Sequence, residues 1–225
     1  KIYSEKRINI NKFKKYIYNV LYFFTKNKNH ETLRELKFTF YLTEHKKFVK
    51  KGECINDINI NSGYTTYNSN IDEVVIYRKD EWLKVFIHEC IHYFDCDFKK
   101  EQFYNEINDF FNIETNILLF ESYTEFFARI INIAIILFNE FIKTNKTLKN
   151  KTNIKNYKIF EYKFKEFINN ERMYSIIQMN NILNVINIDY KDIPNKNVLK
   201  KINEKTNAFC YYYITCIYLY NYNCM

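Results

Sequence analysis

The chain has 225 residues and 27.8 kDa, enough for one large domain and too few for several independent ones. A hydrophobic share of 47% against 27% charged residues excludes wholesale disorder. Gly occurs only as Gly52 and Gly63 and Pro only as Pro194, which excludes dinucleotide and Walker phosphate loops, collagen repeats and Pro-rich linkers; the net charge of +8 is spread over scattered Lys.

The alphabet is narrow. Asn, Ile, Lys, Tyr and Phe supply 135 of the 225 residues, and their codons are AT-rich, so this bias reads as genome drift before function. Asn tolerates the left-handed backbone that turns require and can stand in for the missing Gly.

In chain order, apolar residues at helical spacing (Ile10, Phe13, Ile17, Val20, Leu21, Phe24) predict a helix over 8–27. Alternating β-branched and aromatic residues predict a strand over 36–42. Residues 55–67 alternate Ile with Asn or Asp and then turn at Ser62-Gly63, and 73–78 (EVVIYR) predict a further strand. Together these make a small mixed or antiparallel sheet before residue 80. A helix follows over 81–94 with Asp80 as its N-cap, then a shorter one over 101–111 and a long apolar one over 114–142. The Lys-, Asn- and Thr-rich stretch 143–156 reads as a solvated connector, and further helices are expected over 157–170, 171–186 and 196–221. A sheet followed by helices is an α+β arrangement, expected here as one domain over 1–225 with parts at 1–79, 80–142 and 157–225.

The run Ile130–Phe138 is far shorter than the roughly 20 apolar residues of a membrane span, so it is expected as a core helix and no transmembrane segment is expected. The six Cys contain no C-x-x-C pair, and Cys90 lies inside the chemical motif described next. Buried free thiols and a reducing intracellular compartment, host cytoplasm or virion, are expected.

Residues 88–92 read His88-Glu89-Cys90-Ile91-His92. On a helix the two imidazoles lie one turn apart on one face, where they can share a Zn²⁺, and Glu89 can act as general base on a water. The chain has only four His, so a chance pairing at this spacing is rare. Bulky apolar neighbours on both sides predict a buried helix, in which unpartnered His and Glu would be costly.

A third ligand is required, and no His follows His92. Within FESYTEFFAR (120–129), Glu121 and Glu125 sit one turn apart in a strongly apolar stretch, where carboxylates need partners. Zinc is the expected partner of Glu121. Glu125 is expected to hydrogen-bond a ligating His, and Arg129 to neutralise Glu125 or to hold a substrate carboxylate. A plain surface Glu125–Arg129 ion pair is the bland alternative. Glu114 is a reserve ligand. Asp95 and Asp97 read as loop residues after the helix, within reach of a metal.

H-E-x-x-H followed 29 residues later by E-x-x-x-E resembles the gluzincin branch of the zincin metallopeptidases, over roughly residues 73–130. The segments GYTT, VVIYRKDEW and FIHECIH are also similar to sequences regarded as zinc peptidases in large DNA viruses. The resemblance implies His88, His92 and Glu121 as zinc ligands, Glu89 as the base and Glu125 as the acid behind a ligand, where many members carry Asp. The metzincin pattern is excluded, because Phe98 stands where its third His would be. The downstream His that often stabilises the oxyanion in gluzincins is missing here, so a Tyr would have to serve: Tyr123, Tyr212 or Tyr213.

The leading expectation is therefore a zinc-dependent peptidase acting on a peptide or protein substrate. A catalytically inactive zincin-like binding protein with structural zinc is the alternative. No specific nucleic-acid partner is expected, because no recognised nucleic-acid module accompanies the charge.

Overall fold

Alternating apolar residues build the sheet in the computed structural model, which describes residues 1–26, 35–67, 71–98, 104–111, 117–144, 154–200 and 202–222. The strands are β1 (Ile2–Ser4), β2 (Glu35–Leu42), β3 (Gly63–Thr66) and β4 (Ile71–Ile76). Their order is β1-β2-β4-β3. β1 and β4 both run parallel to β2, with Ile2 opposite Phe40 and Phe38 opposite Val74; β3 runs antiparallel to β4, with Tyr64 opposite Val75. The sheet is mixed, as expected. The three-residue β1 is too short to carry a period in sequence.

Helix α1 (Ile10–Lys26) and helix α3 (Trp82–Tyr93) pack on the sheet. Phe13, Val20 and Phe24 of α1 join Phe40, Val74 and Ile76 of the strands and Phe86, Ile87 and Ile91 of α3 in one core. Aromatic rings lock this layer: Phe13 stacks on Trp82 at 3.9 Å and Phe24 on Phe94 at 5.6 Å. Because α3 is apolar nearly all round, it is buried between the sheet and the helices that follow. Asp80 is not its N-cap. Glu81 holds that position without a capping bond, and Asp80 pairs with Lys46 instead.

The alternating stretch at 55–67 is only partly strand. Residues Asp57–Ile60 form a short helix, α2, closed by reciprocal bonds between Asn56 and Asn59. Gly63 opens β3 rather than turning the chain. A Cβ there would lie 2.7 Å from Val85 Cγ1 and 2.9 Å from the Val75 carbonyl, so Gly is what lets β3 approach α3.

Helices α4 (Tyr104–Phe111), α5 (Leu119–Thr144) and α6 (Ile154–Val185) form most of the rest, so the class is α+β. The two helices expected over 157–186 are one: no Gly or Pro interrupts the chain there, and Glu171 at the expected junction is held by Arg129. The single helix expected over 196–221 is instead broken. It becomes α7 (Lys196–Leu199), an extended bridge between Ile55 and Glu204, a π-helical turn over Phe209–Ile214 and α8 (Thr215–Tyr220). The expected connector lies largely outside the described residues, as does Glu114.

Candidate metal centre

Helix α3 brings His88 and His92 to one face, with ring centroids 4.8 Å apart. Helix α5 packs across α3 and presents Glu121 from its first turn, where the positive end of the helix favours a carboxylate. Three ligand atoms converge. His88 Nε2 and His92 Nε2 lie 3.1 Å apart, and Glu121 Oε2 is 3.4 Å from each. Tetrahedral zinc with bonds of roughly 2.0–2.2 Å sets its ligands about 3.3–3.6 Å apart. The triangle matches that spacing, slightly tight between the two imidazoles, and its donor set suits zinc. These three residues are the metal-capable cluster among the described residues.

The opposite ring nitrogens face carboxylates. His88 Nδ1 is 3.2 Å from Glu125 Oε2, and His92 Nδ1 is 2.6 Å from Asp97 Oδ2. An ionised carboxylate only accepts, so each Nδ1 carries the proton and donates it, which leaves each Nε2 lone pair aimed at the shared point. Burial opposes a charge on His92, but Asp97 and Glu121 outweigh it and raise its pKa to about 10. His88 moves up in the same way against its burial, through Glu121 and Glu125. Burial works against ionised Glu121 too, yet the two imidazoles hold its carboxyl far below the usual range. The cluster thus has an electrostatic demand for positive charge at its centre.

Glu125 is 4% exposed and heavily partnered. Lys84 Nζ donates to both of its oxygens at 2.9 and 3.0 Å, and Arg129 Nε donates at 2.9 Å. Burial alone would raise its pKa, and the two cations instead keep it ionised. Arg129 is itself only 6% exposed and reaches on to Glu171 at 2.9 Å. It therefore neutralises Glu125 inside the molecule, and a surface ion pair is not what it forms.

Glu89 follows His88 on α3 and lines the same cavity. Thr65 Oγ1 of β3 donates to its Oε2 at 2.7 Å. Burial pushes the Glu89 carboxyl up, partly offset by His88 and by the Thr65 bond. A cavity of about 290 Å³ opens beside Glu89 and His88.

The tyrosine at the cluster is Tyr211, which was not among those named from sequence. Its hydroxyl donates to Glu121 Oε2 at 3.0 Å, and its ring lies 5.8 Å from that of His88. Tyr123 packs instead against Phe98 and Phe127, and Tyr213 against Phe209. Tyr212 lines the cavity as well. The π-helical turn causes the difference. It adds about one residue per turn and so rotates the face that an α-helical reading would assign. The Cys210 carbonyl in this turn accepts from Ser122 Oγ at 3.0 Å and Thr215 Oγ1 at 3.0 Å.

Lys84 and Asp97 also went unassigned as partners. Lys84 did leave a signal, as the one cation within an apolar helix and one turn before His88. Thr65 left none, because its contact depends on how β3 crosses α3. Comparison of the chain with protein-family models, curated proteins and solved structures finds no match.

Proposed function

We propose that the protein is a zinc-dependent peptidase of the gluzincin kind. The observation that carries this reading is the convergence of His88 Nε2, His92 Nε2 and Glu121 Oε2, with Glu89 next to His88 in the lining of a cavity. His88, His92 and Glu121 would hold the ion. Zinc held there supplies Lewis acidity, polarising a carbonyl and acidifying water.

The chain's own groups do the rest. Glu125 and Asp97 fix the imidazole tautomers and orientations from behind. Lys84 and Arg129 keep Glu125 charged. Glu89 takes a proton from the attacking water at its carboxylate and returns it to the leaving amine nitrogen, and Thr65 orients the carboxylate for this transfer. Tyr211 Oη donates to Glu121 Oε2 at the cluster, and by turning that single O–H away from the carboxylate it would meet a developing oxyanion. β3 is an edge strand lying over α3, so an extended peptide can add to its open side by main-chain hydrogen bonds and run past the site.

Glu89→Gln keeps the shape and removes the base. We expect peptide hydrolysis to fall by about 10²–10⁴-fold with zinc content unchanged. Hydrolysis at the wild-type rate in this variant would refute the assignment. A zinc-bound wild type that cleaves nothing in a broad peptide library would leave zinc as a structural ion in a binding protein.

A further inference from the structure

Of the remaining cavities and patches, the cavity beside Glu89 carries the most chemistry. At about 290 Å³ it lies just under the roughly 300–1,000 Å³ of small-molecule sites, so it suits one side chain rather than a whole extended ligand. Its walls are charged but balanced. Lys47 meets Glu81 at 2.8 Å, Lys84 meets Glu125 at 2.9 Å, and Arg129 meets Glu125 and Glu171, each at 2.9 Å. Asp80, also in the lining, is matched by Lys46.

Two groups in this lining have capacity left over. Asn132 Oδ1 is sealed from solvent and has no hydrogen-bond partner. Arg129 uses Nε on Glu125 and Nη1 on Glu171 and Gln178, which leaves Nη2 without a protein partner among the described residues. Asn132 follows Arg129 by three residues on α5, so the two share a face.

We propose that this cavity is a specificity pocket for a carboxamide side chain, Gln or Asn, of the peptide substrate. The proposal rests on the peptidase reading above. A carboxamide oxygen accepts from Arg129 Nη2 while its NH₂ donates to Asn132 Oδ1. Because a carboxamide offers both a donor and an acceptor, it satisfies Asn132 whichever way that amide is turned. A carboxylate would instead add a charge beside Glu125, Glu171 and Glu89, and an ammonium would add one beside Lys84 and Arg129. An apolar side chain would leave these polar groups without a hydrogen-bond partner.

The test uses zinc-loaded Glu89→Gln protein and capped peptides of Ala with one variable residue, either Gln, Glu, Lys or Met, all of similar size. Calorimetric titration should give a Kd for the Gln peptide at least about tenfold lower than for the other three. Asn132→Leu in the same background, checked for retained fold and zinc, should bring the Gln and Met peptides to near equality. Tightest binding of Met, Glu or Lys, equal binding of all four, or no binding would overturn the pocket assignment. The same peptides given to wild-type protein separate the two claims. Selective binding without cleavage removes the peptidase reading and leaves the pocket, whereas cleavage without selectivity does the reverse.

Discussion

Each imidazole of the cluster is aimed by a carboxylate, yet the two carboxylates sit in different surroundings. Asp97 is a loop residue that meets His92 Nδ1 at 2.6 Å. Glu125 also neutralises Lys84 and Arg129 in the interior. Their removal should therefore have different consequences. We expect Asp97→Ala to weaken zinc binding about 10–100-fold, read by competition with a chelator, with little change in folding stability. Glu125→Ala takes a shared carboxylate from two buried cations, leaving Lys84 with Glu81 and Arg129 with Glu171, and should cost about 3 kcal/mol in denaturant unfolding. Equal stability losses in the two variants would contradict this division. At this scale the residues of the candidate cluster were legible in sequence because helical spacing alone puts His88 beside His92 and Glu121 one turn before Glu125. Tyr211 and Thr65 were not, and Asp97 was read only as a loop residue within reach of a metal, because their positions follow from a π-helical turn, a strand crossing and a loop, none of which has a period.

The elements were legible where their apolar pattern repeats, as in α1, β2, β4, α3 and α5. The pattern failed where a segment is short or where tertiary contacts set the backbone, as in β1, the α2 turn and the broken stretch after residue 195. The continuity of α6 was missed because an Asn-rich, charged sequence offers no clear face. Among the element contacts, that of β3 with α3 brings Thr65 to Glu89, and Gly63 permits it. Gly63→Ala should destabilise by about 1–3 kcal/mol, since Val85 and the Val75 carbonyl leave no room for a methyl group. It should also lower peptide turnover more than zinc content, because β3 moves and the ligands do not. A variant as stable and as active as wild type would show that β3 can yield at no cost.

Across the whole molecule, the early and late parts of the chain are joined where Ile55 bridges Glu204, with Ile55 N–H donating to Asn203 O at 3.1 Å and Lys205 N–H to Ile55 O at 2.8 Å. Glu204 is buried and accepts from the Phe209 N–H at 3.0 Å, at the start of the turn that carries Tyr211. Burial raises its pKa from 4.5 to about 7, although the Phe209 and Ala208 amides pull the other way. A carboxyl whose pKa rises on folding binds its proton more tightly in the folded state. Its contribution is therefore complete below about pH 4.5 and is lost as pH rises through about 7. Between pH 5 and pH 8 we expect Glu204→Gln to abolish a stability decrease on the order of 3 kcal/mol that wild type shows. Parallel pH profiles for the two proteins would contradict it. No helix among the described residues is long and apolar enough to cross a membrane.

The zinc site is the claim on which the functional reading depends, and metal content per chain tests it most directly. Wild type and Glu121→Ala should be purified side by side, exposed to zinc, desalted and measured by elemental analysis. We predict about one zinc per wild-type chain, lost or strongly reduced in the variant, because Glu121 would supply one of the three protein ligands found among the described residues. Wild-type protein that retains no zinc, or a variant that retains as much as wild type, would contradict the two-histidine, one-glutamate centre.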